Sequence, residues 1–346
     1  MLESRQCGEY LSSSTEKLEQ QCHHHELQYI PNRFNTVLIV GLGQLGLPVA
    51  KYVKERGFDT YGYDISTNAM DRAEKIAGIK KATTMFSRSI GNSNDDINDF
   101  DVYIISVSTH QPEDMFSPQI DGLLSLVDTL SKEAKDGALV SIESTVPQGT
   151  SKKVFEMLNH RLHVVHAPHR WYASEEELHG VNQLRVIGGV CECCLKLGMQ
   201  FYNDGRMLSS SSSSSSHKGD KGLGIPMHPV IEIEIAEITK VVENAHRYLQ
   251  IAFAEELYLY CQANNINFPE LRDALNTKWN VNILEPREGI GGHCLPKDTK
   301  MFLQSSKSIR NKILTAAMEV DFDYRGYLHP RKCSSSTKTN RGMEEQ

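Results

Sequence analysis

The sequence has no uninterrupted apolar segment long enough to span a lipid bilayer, and its first 21 residues lack the apolar core of a signal peptide. It also has no excess of basic residues, because the formal net charge is −7 and no long basic run occurs. These features argue against a membrane protein and against a nucleic-acid-binding protein. We therefore expect a cytoplasmic chain, and its 346 residues are enough for two domains.

Cysteine is present, but not in a disulfide pattern. The eight cysteines are irregularly spaced, unlike the framework of a secreted protein, which indicates a reducing compartment. Two short runs contain metal-ligand residue types, Cys-His-His-His at residues 22–25 and Cys-Glu-Cys-Cys at residues 191–194. Neither run has a second half at zinc-ligand spacing, so the sequence predicts no metal. In the second run we expect the cysteines to be small core residues of a helix.

A glycine motif between a predicted strand and a predicted helix is the clearest local signal. The apolar run 36–40 is typical of a buried parallel strand, residues 47–56 have a helical pattern, and Asp64 lies 23 positions after the first glycine. In this context the glycines let the backbone approach a pyrophosphate, and the carboxylate accepts the ribose hydroxyls. A carboxylate there repels a 2′-phosphate, so the predicted cofactor is NAD rather than NADP. The motif residues are Gly41, Gly43, Gln44, Leu45 and Gly46.

Strands and helices alternate onward and predict an α/β fold with a Rossmann-type doubly wound parallel sheet. Eight consecutive serines at residues 209–216 cannot bury enough apolar surface to order themselves, so we expect a flexible insertion around them. The predicted divisions are a disordered lead at 1–34, the NAD-binding domain at 35–207, the insertion at 208–228, an all-helical central domain at 229–328 and a disordered tail at 329–346.

The longest helical pattern starts at Pro229 and continues to about Asn264. Its apolar residues recur at steps of three and four and form a broad stripe. A helix of this length would extend about 50 Å at 1.5 Å per residue, too far to be covered by one small domain. We therefore expect a homodimer through residues 229–264. One face of the helix also carries Lys240 and Asn244, one turn apart.

A loop near the end of the chain combines two glycines with a thiol. Gly291 and the following glycine allow close approach of a ligand, and His293 and Cys294 follow at once. Lys297 and Asp298 place one charge of each sign close to the thiol, which can then be held partly as the nucleophilic thiolate. Taken alone, the loop is equally consistent with a surface turn that carries an unreactive cysteine.

Five motifs, in order, resemble those of the UDP-glucose/GDP-mannose dehydrogenase family over roughly residues 35–320. They are a V-P-T-P-like run at 107–110, Glu-Ser-Thr-Val-Pro-Gln-Gly-Thr at 143–150, a P-E-R-like stretch at 168–170 with a later I-G-G at 187–189, A-E-x-x-K-x-x-x-N at 236–244 and G-G-H-C-x-P-x-D at 291–298. Three positions depart from the family pattern: Ser108 and His110 replace prolines, and His169 stands where a glutamate is usual.

The resemblance implies a nucleotide-sugar 6-dehydrogenase that oxidises a primary alcohol to a carboxylate with two NAD. It implies that Cys294 forms a thiohemiacetal and then a thioester. Lys240 and Asn244 would stabilise oxyanions, Asp298 would orient or activate water, and Glu143 would assist thioester hydrolysis. The further residues implied are Asp64, Thr109 and Thr145 for the cofactor and Arg170, Gly291 and His293 for the substrate.

The motifs leave the substrate and two other functions open. His293 before the cysteine resembles members that act on UDP-N-acetylhexosamines, particularly UDP-N-acetylmannosamine, and we favour this substrate. Residues 295–298 resemble members that act on UDP-glucose or GDP-mannose. A two-electron β-hydroxyacid dehydrogenase also uses a K-x-x-x-N helix, but no cysteine. A truncated NAD-binding dimer is the other alternative, because the 48 residues after Asp298 are too few for the family's third domain.

Overall fold

The computed structural model describes residues 34–82, 88–89, 96–97, 100–111, 113–114, 117–171, 179–203, 222–305 and 311–329. The predicted lead up to residue 33, the serine tract and the predicted tail from residue 330 lie outside the described residues. The chain divides into two compact units. Unit 1 contains residues 1–244 and 297–307, and unit 2 contains residues 245–296 and 308–346.

Unit 1 is built on an eight-stranded sheet. The strands described in the chain are β1 (Thr36–Val40), β2 (Asp59–Tyr63), β3 (Lys80–Lys81), β4 (Arg88–Ser89), β5 (Asp96–Ile97), β6 (Val102–Ile105), β7 (Leu139–Ile142), β8 (His163–His166), β9 (Arg185–Gly189) and β10 (Met227–Val230), with β4 and β5 forming a separate antiparallel pair. Within the sheet the order is β10-β9-β8-β7-β6-β1-β2-β3, and neighbouring strands are parallel except for the antiparallel pair β8 and β9. The strand order reverses between β1 and β6, which makes the carboxyl ends of these strands a topological switch point.

Helices cover both faces of this sheet. Side chains alternate along β1, so Val37 and Ile39 join one apolar cluster while Leu38 and Val40 join the other. The first cluster contains apolar side chains of α1 and α5, and the second contains those of α3 and α4. This two-sided burial confirms the predicted doubly wound sheet. The helices are α1 (Gly46–Glu55), α2 (Thr67–Ala77), α3 (Asp121–Glu133), α4 (Thr150–Met157) and α5 (Glu192–Asn203).

Four further helices follow: α6 (Ile233–Ala263), α7 (Phe268–Leu275), α8 (Cys294–Ser305) and α9 (Lys312–Leu328). The division between the units falls within α6 and within α8. In unit 2, Tyr248 and Ala252 of α6 pack with Ile290 and with Ala317 of α9 in a small apolar core. The described helices include none that is long and apolar enough to cross a membrane.

The long helix exists, but its predicted start at Pro229 is wrong by four residues. Residues 227–230 pair with β9 as the edge strand β10, and α6 begins at Ile233. A proline fits an edge strand because its missing N–H donor removes no ladder bond on the open side. The end of the predicted insertion, residues 227–228, therefore belongs to the sheet. At 31 residues, α6 is about 46 Å long.

Candidate active site

The loop between β1 and α1 leaves its backbone open to a ligand. Gly41 has φ of +90°, and a Cβ atom there would lie 2.6 Å from the carbonyl oxygen of Ser106. A Cβ atom on Gly46 would lie 1.7 Å from the carbonyl oxygen of Gly41, so both positions require glycine. A Cβ atom on Gly43 would meet nothing within 4 Å. An anionic group can therefore approach the backbone at Gly43 and the N-terminus of α1, which fits the pyrophosphate of NAD.

Asp64 lies at the end of β2 and orders this loop. Its Oδ2 accepts a hydrogen bond of 2.7 Å from the backbone N–H of Leu42, and its Oδ1 accepts one of 2.8 Å from Ser66. Each carboxylate oxygen has a second lone pair with which to accept a ribose hydroxyl. The structure thus brings Asp64 to the glycine loop, as the motif spacing predicts. Gln44 is exposed and Leu45 is half-buried in the same loop.

A buried polar cluster joins the loop after β6 to α6 and α8 within unit 1. Lys297 Nζ lies 3.0 Å from Asp298 Oδ1 and donates to Thr109 Oγ1 at 3.2 Å. Asn244 Nδ2 donates to Asp298 Oδ2. Lys297, Asp298 and Thr109 are each at most 6% exposed, so these groups fix one another in a region of low solvent access. Thr109, which the family resemblance assigns to the cofactor, is here a partner of the lysine.

Glu143 lies at the carboxyl end of β7 in a second buried cluster. Its Oε1 accepts hydrogen bonds from Arg185 Nη1 at 2.9 Å and from the Tyr202 hydroxyl at 2.7 Å, and its Oε2 lies 2.8 Å from His169 Nε2. Burial alone would raise the pKa of Glu143, but Arg185 and His169 outweigh it and lower this pKa to about 2. The carboxylate is therefore ionised and only 2% exposed.

Three other predicted site residues, Lys240, Arg170 and Thr145, also belong to unit 1. Lys240, one turn before Asn244 on α6, is half-buried, and its charge contributes to lowering the pKa of His169, after burial and Arg185. Arg170 donates to both carboxylate oxygens of Glu243 and, from Nη1, to the carbonyl oxygen of Leu184. Thr145 is half-buried at the end of β7.

The thiol loop belongs to unit 2. Cys294 is exposed, begins α8, and has its Sγ 3.6 Å from His293 Nε2. Gly292 has φ of +73°, and a Cβ atom on Gly291 would meet nothing within 4 Å. A thiol at a helix N-terminus is favoured as the thiolate by the helix dipole.

Sequence reasoning missed Arg185 and Tyr202 as members of the site. It placed Lys297 beside the thiol, and the contacts of Lys297 Nζ in the structure are with Asp298 and Thr109. Arg185 and Tyr202 lie 42 and 59 residues from Glu143 and had no local signal.

Two family models match the chain. The model for the UDP-glucose/GDP-mannose dehydrogenase family, NAD binding domain, matches residues 35–205, and the model for the central domain of the same family matches residues 234–322. The chain belongs to the UDP-glucose/GDP-mannose dehydrogenase family. This membership confirms the resemblance drawn from the five motifs, the fold class, and NAD as the cofactor of the N-terminal domain.

Relatives within the family give the scale of the similarity. A UDP-N-acetyl-D-mannosamine dehydrogenase of Pyrococcus horikoshii is 29% identical over 78% of this chain and 64% of its own length. One from Methanococcus maripaludis is 26% identical over 84% of this chain and 66% of its own length. A solved structure of UDP-D-ManNAc dehydrogenase from Pyrococcus horikoshii has a TM-score of 0.67 at 26% identity, covering 84% of this chain and 69% of that one. The chain thus spans about two thirds of the length of these relatives.

A 3-hydroxyisobutyrate dehydrogenase of Mycobacterium tuberculosis shares the fold at 12% identity and a TM-score of 0.55, with 86% of this chain and 88% of that chain covered. At this identity the likeness concerns the fold alone.

We predict that Asp64→Asn narrows the preference for NAD over NADP. The amide oxygen can still accept from the backbone N–H of Leu42, but the charge that we expect to hold the ribose and to repel a 2′-phosphate is lost. Losing a hydrogen bond to a charged group costs about 1.5–3 kcal/mol, so NAD should bind roughly tenfold more weakly or worse. Calorimetric titration of both cofactors measures this, with Asp59→Asn at the other end of β2 as the control. Tighter binding of NADP than of NAD by the unaltered protein would contradict the assignment.

We predict that Glu143→Gln destabilises the protein by about 3–5 kcal/mol, because it leaves the buried Arg185 without its counter-charge. Urea unfolding measures the loss, and the exposed Glu156→Gln on α4 should change stability by less than about 0.5 kcal/mol. The pKa of Glu143 falls from 4.5 to about 2 on folding, so its stabilisation is present above pH 4.5 and is lost as the pH falls towards 2. The difference between parent and variant should shrink over that range, and equal stability of the two variants at neutral pH would refute the prediction.

Proposed function

We propose that the protein oxidises the C6 alcohol of a nucleotide sugar to a carboxylate with NAD, through covalent intermediates on Cys294. The observation that carries the proposal is the buried cluster of Lys297, Asp298 and Asn244. Lys297 and Asp298 lie on α8, the helix that Cys294 begins. The chain therefore places a thiol at a helix N-terminus three and four residues before a fixed ammonium and a fixed carboxylate.

The first oxidation converts the alcohol to an aldehyde by loss of a hydride and of the hydroxyl proton. Two molecules of NAD, bound one after the other, would each accept one hydride and leave as NADH. Lys240 and Asn244 lie on one face of α6, and both are half-buried, so their N–H groups can stabilise the negative charge that develops on the C6 oxygen. The hydrogen bond from Asn244 to Asp298 fixes the orientation of the amide.

The Cys294 thiolate then bonds to the aldehyde carbon while the carbonyl oxygen gains a proton, which gives the thiohemiacetal. Loss of a second hydride and of the hydroxyl proton gives the thioester. Attack by water breaks the carbon–sulfur bond and returns the thiol, with the carboxylate as the product. Asp298, held between Lys297 and Asn244, is the group we propose to orient this water or accept its proton.

Glu143 contributes indirectly in this proposal. A carboxylate with a pKa of about 2 is a weak base at neutral pH, and its two oxygens already contact Arg185, Tyr202 and His169. The family resemblance implies that Glu143 assists the hydrolysis of the thioester. We propose that Glu143 does so by holding the imidazole of His169 in position, with His169 Nε2 2.8 Å from Glu143 Oε2. Arg170 donates to Glu243 in the structure. In this proposal Arg170 binds the substrate after it gives up part of that contact.

A UDP-N-acetylhexosamine, UDP-N-acetylmannosamine in particular, is the substrate we propose. His293 directly precedes the nucleophile, and the relatives from Methanococcus maripaludis and Pyrococcus horikoshii carry the name UDP-N-acetyl-D-mannosamine dehydrogenase. UDP-glucose and GDP-mannose are the alternative substrates, and a panel of nucleotide sugars separates them.

The yield of NADH per sugar separates three functions. The proposed four-electron oxidation gives two NADH, a β-hydroxyacid dehydrogenase reaction gives one, and an NAD-binding dimer without catalysis gives none. The fold shared with the 3-hydroxyisobutyrate dehydrogenase does not favour the second function, because the cysteine loop has no part in that chemistry.

We predict that Cys294→Ser loses most turnover to the acid and keeps its affinity for NAD within about twofold, since the cofactor loop lies at residues 41–64. Serine lacks the nucleophilicity and the leaving ability of a thiolate, so the second oxidation or the hydrolysis should stall. NADH yield, uronate formation and NAD affinity are measured side by side with the parent. Uronate production by Cys294→Ser at the parental rate would exclude the covalent mechanism, and a parent that turns over no nucleotide sugar would favour the binding dimer.

We propose that α6 also mediates a homodimer. Ile235, Val242, Phe253 and Tyr260 are 46%, 38%, 56% and 55% exposed. Their spacings of seven and eleven residues keep them within one face of a helix with 3.6 residues per turn. An exposed apolar stripe along a helix of 31 residues is the kind of surface that a second copy covers.

We predict that Phe253→Glu shifts the protein from dimer to monomer, because it places a charge in the centre of this stripe. Light scattering of the parent and the variant gives the mass in solution. Gln262→Glu is the matched control, because Gln262 is exposed on the same helix and its position nine residues after Phe253 puts it on the opposite face. A monomeric parent would exclude the homodimer.

A further inference from the structure

Three cysteines and one histidine lie close together at the amino end of β8, on the side of the sheet opposite to the glycine loop. The histidine is the first residue of β8, which runs parallel to β7, β6 and β1, whereas the glycine loop follows the carboxyl end of β1. The strand β9 runs antiparallel to β8, so the turn that follows β9 returns to the beginning of β8. We call this group the Cys–His cluster; it consists of His163, Cys191, Cys193 and Cys194.

Three of the four donor atoms are within coordination range of one another. The ligand atoms of His163, Cys193 and Cys194 all lie within 4.8 Å of one another. His163 Nδ1 is 3.5 Å from Cys194 Sγ and 3.9 Å from Cys193 Sγ. Cys191 lies outside this group of three, and its Sγ is 3.0 Å from Cys193 Sγ and 3.2 Å from Cys194 Sγ.

These separations are close to those of a tetrahedral zinc site. With zinc–sulfur bonds of about 2.3 Å and zinc–nitrogen bonds of about 2.0–2.1 Å, tetrahedral angles put sulfur about 3.8 Å from sulfur and about 3.5 Å from nitrogen. The 3.5 Å distance from His163 Nδ1 to Cys194 Sγ matches, and the 3.9 Å distance to Cys193 Sγ is about 0.4 Å longer. Cys191 Sγ would move about 0.6–0.8 Å away from the other two sulfurs to accept the ion. Three thiolates and one imidazole form one of the standard donor sets of structural zinc.

Two features around the cluster suit a metal-bound sulfur. The backbone N–H of Val164 donates to Cys194 Sγ at 3.4 Å, a contact of the kind that orients and tunes such a sulfur. Cys193 and Cys194 lie in the first turn of α5, where the helix dipole stabilises negative charge. Burial and the neighbouring Cys191 and Cys193 raise the pKa of the Cys194 thiol, so its proton leaves only when an ion binds.

We propose that the Cys–His cluster binds one divalent cation of the zinc class and that this ion fastens the start of α5 to β8. Binding releases the three thiol protons, while the imidazole binds without losing one, so the zinc complex carries a net charge of −1. Cys193 is half-exposed and gives the ion a path from solvent. The sequence analysis instead predicted no metal, with these cysteines as core residues, because the fourth donor lies about 30 residues before them.

The competing chemistry at this place is a disulfide, since the first and last cysteines have C-x-x-C spacing at a helix N-terminus. Cys191 is 3% exposed and Cys194 is fully buried. Thiol–disulfide exchange requires an accessible sulfur, so these positions suit a ligand better than a redox pair.

The test uses the full chain, reduced and stripped of metal, without an affinity tag. The Cys-His-His-His run is removed as a second metal site by His23→Ala, His24→Ala and His25→Ala. Titration with Co²⁺ should give thiolate-to-metal charge-transfer absorption that saturates at one ion per chain and disappears when Zn²⁺ displaces it. Saturation without that absorption, or no binding, would overturn the proposal, as would a Cys191–Cys194 disulfide found by peptide mass spectrometry in the purified chain together with no binding after its reduction.

Single substitutions then assign the donors. Cys191→Ala should lower the charge-transfer intensity by about one third, and His163→Ala should weaken binding by more than the roughly 10- to 100-fold typical of losing an outer-shell partner. Unchanged spectra in these variants would overturn the assignment. Cys294 is exposed and lies outside the cluster, so Cys294→Ser is the matched control, and its Co²⁺ spectrum should equal that of the parent. NAD affinity reports folding of each variant. If a variant fails to fold, the number of Co²⁺ ions bound per parent chain, together with the charge-transfer absorption, decides whether the cluster is a metal site.

Discussion

The Glu143 carboxylate has to remain ionised inside unit 1, and the packing around the carboxyl end of β7 follows from that requirement. A buried charge costs several kcal/mol unless it is paired and hydrogen-bonded. Its partners, Arg185 on β9, Tyr202 on α5 and His169 after β8, come from three separate parts of the chain. One carboxylate therefore fixes the ends of β7 and β9 and the helix α5 relative to one another, and it holds the loop that follows β7 in place.

The helix α6 meets the same loop from the other side. Glu237 accepts hydrogen bonds of 2.6 Å from the backbone N–H groups of Gly149 and Ser151, and so caps the start of α4. Lys240 and Asn244 follow three and seven residues later, and these spacings keep all three side chains on one face of the helix. The family's A-E-x-x-K-x-x-x-N pattern thus has a physical reason: its glutamate positions the helix, and its lysine and asparagine are then presented at the strand ends.

What could be predicted from the sequence was the part of the site contained in one local unit. The strand β1, the glycine loop, α1 and Asp64 lie within about thirty residues, and each has a signal in composition or spacing. The partners of Glu143 could not be predicted, because an ion pair across 42 residues depends on strand order and on the reversal of β9. Pro229 misled the helix prediction because a proline suits both a first helical turn and an edge strand.

His169 changes the electrostatics of a position where the family usually has glutamate. A glutamate there would put a second carboxylate against Glu143, and two adjacent carboxylates cannot both ionise without raising the pKa of one of them. Burial and the Arg185 charge instead lower the pKa of His169, so its imidazole is neutral. Arg185 then carries the counter-charge of Glu143, while His169 contributes a hydrogen bond to the carboxylate. This chain therefore has a neutral ring, rather than a titrating carboxyl, between Glu143 and Lys240. A neutral imidazole can donate from one nitrogen while it accepts at the other, whereas an ionised carboxylate can only accept.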